Sequence, residues 1–184
     1  MSLKDRVLNC LKDDVVAVTE HRGDISVEVP KEKIVSVLTR LKDDPNTGFD
    51  FLSDLFGVDN LDLYNKKKKK PKKKAEGEEE KVEEDKGPPP PRFEVIYLLL
   101  SLKTNERLQV KIRVPEDDMV VDTVTTIWKA ADWPEREAFD MFGFKFKGHH
   151  NLRRLLMWDE FEDHPLRKDY PLEGKGEERH LSYD

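Results

Sequence analysis

Two periods of hydrophobic and polar positions alternate along this chain, and the changes of period mark its elements. Leu3, Val7, Leu8 and Leu11 recur at helical spacing behind Ser2, which with Asp5 makes a capping-box start. Val15–Glu20 and Ile25–Val29 are β-branched and partly alternating, and the residues between them read as the turn of a hairpin. Pro30 suits the first position of a helix striped by Ile34, Val35, Val37, Leu38 and Leu41, which Asp43-Asp44-Pro45-Asn46 and Gly48 end. Phe49–Tyr64 fits a helical turn and a strand equally well. Phe93–Leu102 (FEVIYLLLSL) is the most hydrophobic run and predicts a central strand. Asn105-Glu106 turns it into a second strand, where Leu108, Val110, Ile112 and Val114 alternate with Gln109, Lys111 and Arg113; one face is buried and the other wet. Asp122 is placed to cap a helix carrying Val124, Ile127, Trp128 and Ala131, and Pro134 opens another with Glu135 and Glu137 in its first turn. The order predicts an α+β fold: a two-layer domain with a mostly antiparallel sheet, helices on one face and an extended C-terminal tail.

The tail is the stretch that periodicity does not explain. Pro165 and Pro171 exclude a helix or a central strand, yet Leu155, Leu156, Met157, Trp158, Phe161, Leu166 and Tyr170 all lie near them. Before it, Phe142, Phe144 and Phe146 alternate with Gly143, Lys145 and Lys147, so a short strand would bury three rings on one side. Arg153, Arg154, Arg167, Lys168 and Asp169 accompany the apolar residues, and arginines beside aromatics are typical of interface hot spots. The tail therefore reads as a partner-binding segment. The competing reading is that it folds back over its own sheet.

Composition changes the picture in one place. At 36% hydrophobic and 39% charged the chain is more polar than an ordinary domain, which is about 45–50% apolar and about 25% charged. Much of the excess lies in residues 65–92, with eight lysines (Lys66–Lys70, Lys72–Lys74), seven acids from Glu76 to Asp85 and four prolines at Pro88–Pro91. Such a segment buries nothing that offsets its ordering entropy, so it predicts a disordered insert. It divides one domain into residues 1–64 and 93–148, with the tail at 149–184. A net charge of -6 argues against a nucleic-acid binder. An RNA- or lipid-binding adaptor working through the lysine run is the alternative, and an acidic block beside that run weakens it. No segment approaches 18 consecutive apolar residues, so none spans a membrane. Cys10 alone rules out a disulfide framework and suits a reducing cytoplasm.

Candidate chemistry is sparse. His149, His150 and His164 do not have the spacing of a zinc site such as HExxH and read as surface or partner-contact histidines. Glu135, Glu137 and Asp140 could supply paired carboxylates, but Arg136 and Asp140, as i,i+4 neighbours, predict an ordinary ion pair. There is no phosphate loop, no GxGxxG and no nucleophile elbow. The sequence offers no catalytic, cofactor or metal site.

Two blocks carry a resemblance. EREAFDMFGFKFKGHHNLRRLLM, whose core is Glu135–Gly143, and HPLRKDYPL, from His164, resemble the 30-kDa-type (C-type) subunit family of respiratory complex I, the NADH–quinone oxidoreductase. The resemblance is strong over Trp128–Leu172. His150 and Trp158 stand where prolines are common in the family, and Glu162-Asp163 replaces a frequent Glu-Gly. The resemblance implies a non-catalytic subunit without a redox centre, peripheral on the cytoplasmic side of the inner membrane. FMN and the iron–sulfur clusters would belong to other subunits. Its partners would be the 49-kDa-type (D-type) quinone-site subunit and neighbouring iron–sulfur subunits. It also implies structural or partner-contact roles for Glu135, Arg136, Glu137, Asp140, Arg153, Arg154, His164, Arg167, Lys168, Asp169 and Tyr170, to which the aromatic content adds Trp158 and Phe161. A homologous subunit of a membrane-bound hydrogenase or related complex is the alternative.

Overall fold

A computed structural model describes residues 2–63 and 91–177. The capping box forms: Asp5 N–H donates to Ser2 Oγ while Ser2 N–H donates to the Asp5 carboxylate, opening α1 (Leu3–Leu11). The hairpin is β1 (Ala17–His21) and β2 (Asp24–Val29), joined through Arg22 and Gly23, both at positive φ. Pro30 is extended and caps a 3₁₀ turn, Lys31–Lys33, so the following α2 begins only at Ile34 and runs to Asp43. The ambiguous stretch after it is a strand, β3 (Phe51–Asp59). β4 (Phe93–Ser101) and β5 (Glu106–Val114) follow the alternation expected of them, with Asn105 at positive φ in the turn.

These strands form one sheet in the order β1-β2-β5-β4-β3, antiparallel throughout except for the parallel β2/β5 pair. Register puts one side chain of every second residue on the same face. Val27, Val110, Tyr97 and Leu55 make one row across four strands, and Val29, Ile112, Val95 and Gly57 the next. That face is the core, sealed by Val7 and Leu11 of α1 and Ile34, Val37, Leu38 and Leu41 of α2. The fold is thus α+β, with a mostly antiparallel sheet.

The region after β5 departs from the sequence pattern. The helix expected from Asp122 is absent. Asp122 instead ends a short strand, β6 (Val120–Asp122), and the chain continues through turns to a 3₁₀ turn, Lys129–Ala131. Three of the apolar residues are still buried, Val124 and Ala131 completely and Trp128 to 7% exposure, and Ile127 is partly buried against the core. Long-range partners hold the backbone out of a helix. The Val124 N–H is claimed by Glu135, Trp128 Nε1–H donates to the Asp50 carbonyl at 3.0 Å, and β6 pairs in parallel with β7 (Lys145–Lys147). The last helix, α3 (Asp132–Phe142), starts two residues before Pro134, which occupies the first turn, where its missing N–H costs nothing.

The three phenylalanines are buried together, but not on one strand. Phe142 ends α3, Gly143 turns the chain at φ 86°, and only Phe146 lies within β7. Phe144 sits 5.9 Å from the Phe93 ring and 6.0 Å from that of Phe142. Both helix-end rings rest on β3 at Gly57, where a Cβ would come within 2.6 Å of Phe144 and 2.7 Å of Phe142. Gly57→Ala is therefore expected to cost about 1–3 kcal/mol through overpacking. Urea denaturation with an unchanged m-value would measure it; a neutral substitution would mean that the rings can move aside.

Residues 64–90 lie outside the described residues, and with them most of the Lys/Glu/Pro insert. Arg92, at its expected end, belongs to the fold and is only 5% exposed.

Candidate functional site

The two sequence blocks meet along one seam. α3 places Arg136 and Asp140 one turn apart, but they do not form the ion pair their spacing predicts. The tail enters between them. Arg136 gives Nε–H and Nη2–H to the carbonyls of Arg153 (3.2 Å) and Arg154 (3.1 Å). Asp140 pairs instead with Arg154 Nη1 at 2.6 Å, and its other oxygen accepts three consecutive backbone N–H groups, from Leu155 (3.0 Å), Leu156 (2.7 Å) and Met157 (2.9 Å). Burial alone would raise this carboxyl, but the tail amides and Arg154 outweigh it and hold Asp140 below the usual carboxylate range.

HPLR of the second block completes the end of α3. A helix leaves its last carbonyls unpaired, and here each finds a donor. Gly143 N–H reaches Phe139 O, His164 Nδ1–H reaches Asp140 O at 2.9 Å, Leu166 N–H reaches Met141 O at 3.2 Å and Arg167 Nε–H reaches Phe142 O at 2.7 Å. A carbonyl only accepts, so His164 carries its proton on Nδ1. Burial lowers the pKa of that ring, which favours its neutral form. Gly143 leaves no room for a side chain, since a Cβ there would stand 2.6 Å from both Arg167 Nη2 and His164 Nε2.

The second anchor of the tail is a charge cluster that the sequence pattern did not reveal. Arg92 grips Asp59 through Nε (2.9 Å) and Nη2 (2.7 Å), and both are at most 5% exposed. The same guanidinium reaches Glu116 and Asp169, at 2.7 and 2.8 Å. Asp59 also accepts the Lys168 N–H at 2.9 Å, while Lys168 Nζ pairs with exposed Asp62. Arg92 and Arg167 stack over the Phe93 ring, 4.6 and 5.3 Å from its centroid. Burial pushes Asp59 up, but Arg92 and the two amides on it prevail and leave it low; Arg92 is correspondingly raised.

Glu135 has a separate task. It is wholly buried, accepting Thr123 Oγ1–H at 2.6 Å and Val124 N–H at 2.7 Å, and so ties the loop after β6 to α3. Desolvation dominates, and its pKa is raised to about 7. Of the remaining expected contact residues, Phe161 is 4% exposed and packs edge-on to Trp158 at 4.9 Å and against Tyr170 at 6.2 Å. Glu137, Arg153, Lys168 and Asp169 face solvent, although Asp169 is also held by Arg92.

The histidines separate. His150 is exposed, His164 is the helix cap described above, and His149, expected at the surface or at a partner contact, is buried to 0% side-chain exposure within the chain. Asp132, His149 and His150 bring ligand atoms within 4.8 Å of one another. Their hydrogen bonds oppose a metal there. His149 Nδ1 accepts the Asn151 N–H at 3.1 Å, so in the neutral ring Nε2 carries the proton and points it at Asp132. The lone pair a metal needs is not available on that nitrogen.

The seam thus consists of polar groups paired within one chain: two carboxylates that fix backbone amides, and arginines that fix carbonyls. The tail does fold back onto its own domain, but against helix α3 and the ends of β3 and β4, with Leu156, Leu166 and Leu172 left 62%, 52% and 101% exposed. This arrangement holds a segment in place.

Residues 27–176 match the family described as the respiratory-chain NADH dehydrogenase 30-kDa subunit. The C-type subunit of NADH-quinone oxidoreductase from Citrifermentans bemidjiense is 41% identical over 178 residues, covering 97% of this chain and 91% of that protein. A C/D-type subunit of the same oxidoreductase from Sulfurihydrogenibium is 42% identical over 157 residues, 85% of this chain but 23% of the relative. Among solved structures, the trypsin-resistant fragment (1–134) of Nqo5 superposes with a TM-score of 0.61 at 29% identity, covering 82% of this chain and all of the fragment. The chain belongs to the respiratory complex I 30-kDa subunit family, that of the C-type subunits of NADH-quinone oxidoreductase.

Proposed function

We propose that this chain is a structural subunit of the peripheral arm of NADH-quinone oxidoreductase, with no redox chemistry of its own. It holds no cofactor; FMN and the iron–sulfur clusters reside in other subunits. The arm stands on the cytoplasmic side of the inner membrane, and no helix among the described residues is long and apolar enough to cross a membrane. Electrons pass from NADH to quinone elsewhere in the complex, and this chain braces the D-type quinone-site subunit and its iron–sulfur neighbours. The observation that carries the reading is the tail: backbone amides of Leu156 and Lys168 are held inside the chain while Leu156, Leu166 and Leu172 are exposed. Partner contact is assigned to that outer side, with Glu137, Arg153, Trp158, Lys168 and Tyr170 around it. Arg136 and Asp140 support it from inside, and Glu135 braces α3 behind them. The C/D-type relative, in which both subunit types are named on one chain, favours the D-type subunit as the neighbour.

Deleting residues 152–184 is expected to leave the chain soluble but unable to enter the complex, read by native electrophoresis of membranes and NADH:quinone activity. Normal assembly without the tail would overturn the proposal.

A further inference from the structure

The tail reverses the usual arrangement of a packed segment. Leu155, Leu156 and Met157 turn their N–H groups inward onto a single buried carboxylate, Asp140, which is 0% exposed. The Leu156 side chain points outward and is 62% exposed. The pattern recurs ten residues on, where Leu166 gives its N–H to Met141 O while its side chain is 52% exposed. No helix or strand shapes this stretch; fixed acceptors on α3 and at the end of β3 do. Three successive amides around one anion make a nest, a geometry that the anion itself stabilises.

We propose that Asp140 is a latch that pre-shapes residues 154–157 in the free chain, so that Leu156, together with Leu166 on its separate Met141 anchor, presents an apolar edge that docks into apolar sockets on the D-type subunit. The occupant rests on the reading of the chain as a peripheral-arm subunit and on the relative that carries the C and D types in one polypeptide. The gain from such a latch is preorganisation. A loose strap would lose its backbone freedom only on docking and bind correspondingly more weakly; a latched one has already lost it. Asp140 is a positioning residue, and it touches no partner itself.

Amide hydrogen exchange on the purified full-length chain is the test. In the free wild-type protein the Leu155, Leu156 and Met157 amides are expected to exchange slowly. In Asp140→Asn they exchange about 10- to 100-fold faster, the loss expected for charge-assisted hydrogen bonds, and trypsin cuts sooner after Arg153 and Arg154. Affinity for the purified D-type subunit falls with the lost protection. The double variant Leu156→Ser/Leu166→Ser keeps the protection and loses the affinity. Fast exchange at these amides in the free wild type would overturn the latch even if Asp140→Asn fails to fold, and would leave the structural role, tested by the deletion, untouched. Unchanged affinity in the double variant would overturn the docking edge. Sedimentation showing that the edge instead joins two copies of this chain would overturn the choice of partner.

Discussion

Arg92→Ala is expected to lower the unfolding free energy by about 3–5 kcal/mol, the usual cost of leaving a buried charge without its partner. Asp59 is the charge left behind: its side chain is 1% exposed and both its oxygens face the guanidinium. The backbone amides of Leu61 and Lys168 remain on Asp59, but they do not neutralise it. The loss also frees Asp169 and Glu116, so the Lys168–Asp169 part of the tail loosens with the domain. Replacing both partners by apolar residues, Arg92→Met with Asp59→Leu, is expected to recover only part of that stability, because removing the desolvated pair offsets the lost attraction while the Leu61 and Lys168 amides lose their acceptor. Guanidinium denaturation of the two variants beside the wild type makes the comparison. An Arg92→Ala variant within about 1 kcal/mol of wild type, the value typical of a surface pair, would show that water reaches the cluster.

The second large effect is a pH dependence carried by Glu135. A carboxyl whose folded pKa is raised binds its proton more tightly in the native chain than in the unfolded one. Below the ordinary value of 4.5 both states are protonated and the residue makes no difference. Between 4.5 and about 7 the unfolded chain ionises first, so stability falls as pH rises through that window, and above it the loss is complete. A shift of this size corresponds to roughly 3 kcal/mol. Glu135→Gln keeps the shape and an acceptor for the Val124 N–H while removing the charge. It is expected to match the wild type at pH 4.5, to be the more stable protein at pH 8, and to flatten the profile between them. Equal slopes for the two proteins would mean that Glu135 is solvated.

Asp59, Asp140 and Asp169 act in the opposite sense. Their folded pKa values are depressed, so the stability they add is present above the ordinary aspartate value of 3.8 and is lost as pH falls through the depressed ones. Acid therefore weakens the tail anchors, whereas alkali weakens the tie between α3 and the loop after β6.

How far the sequence led is clearest element by element. β4 and β5 were legible because an apolar run and a clean alternation sit side by side, and with the hairpin they made the fold class clear. The blocks around Glu135–Gly143 and His164–Pro171 were legible as the important ones through the resemblance and the crowding of aromatics and arginines. What they attach to was not. Arg136 and Asp140 satisfy the local rule for an ion pair, yet both are claimed by tail groups 14 to 18 positions away. The helix expected after Asp122 was lost to a parallel strand pairing and to a carboxylate eleven residues downstream of Val124. Asp59 and Arg92 left no local signal, being 33 residues apart across the charged insert, with Arg92 reading as the insert's last residue. Local periodicity reports which side chains are buried. It does not report which polar group a buried side chain will meet.

The capping of α3 by His164, Leu166 and Arg167 bears on the order in which the protein matures during synthesis. Three carbonyls at the end of that helix have to wait for donors more than twenty residues further along the chain. While the ribosome still covers those residues, the sheet and the first two helices have all their sequence available, but the final turn of α3 does not. The nascent domain thus passes through a stage in which its last helix frays at the C-terminal end. That stage closes only when Arg167 has left the exit tunnel and can reach the Phe142 carbonyl.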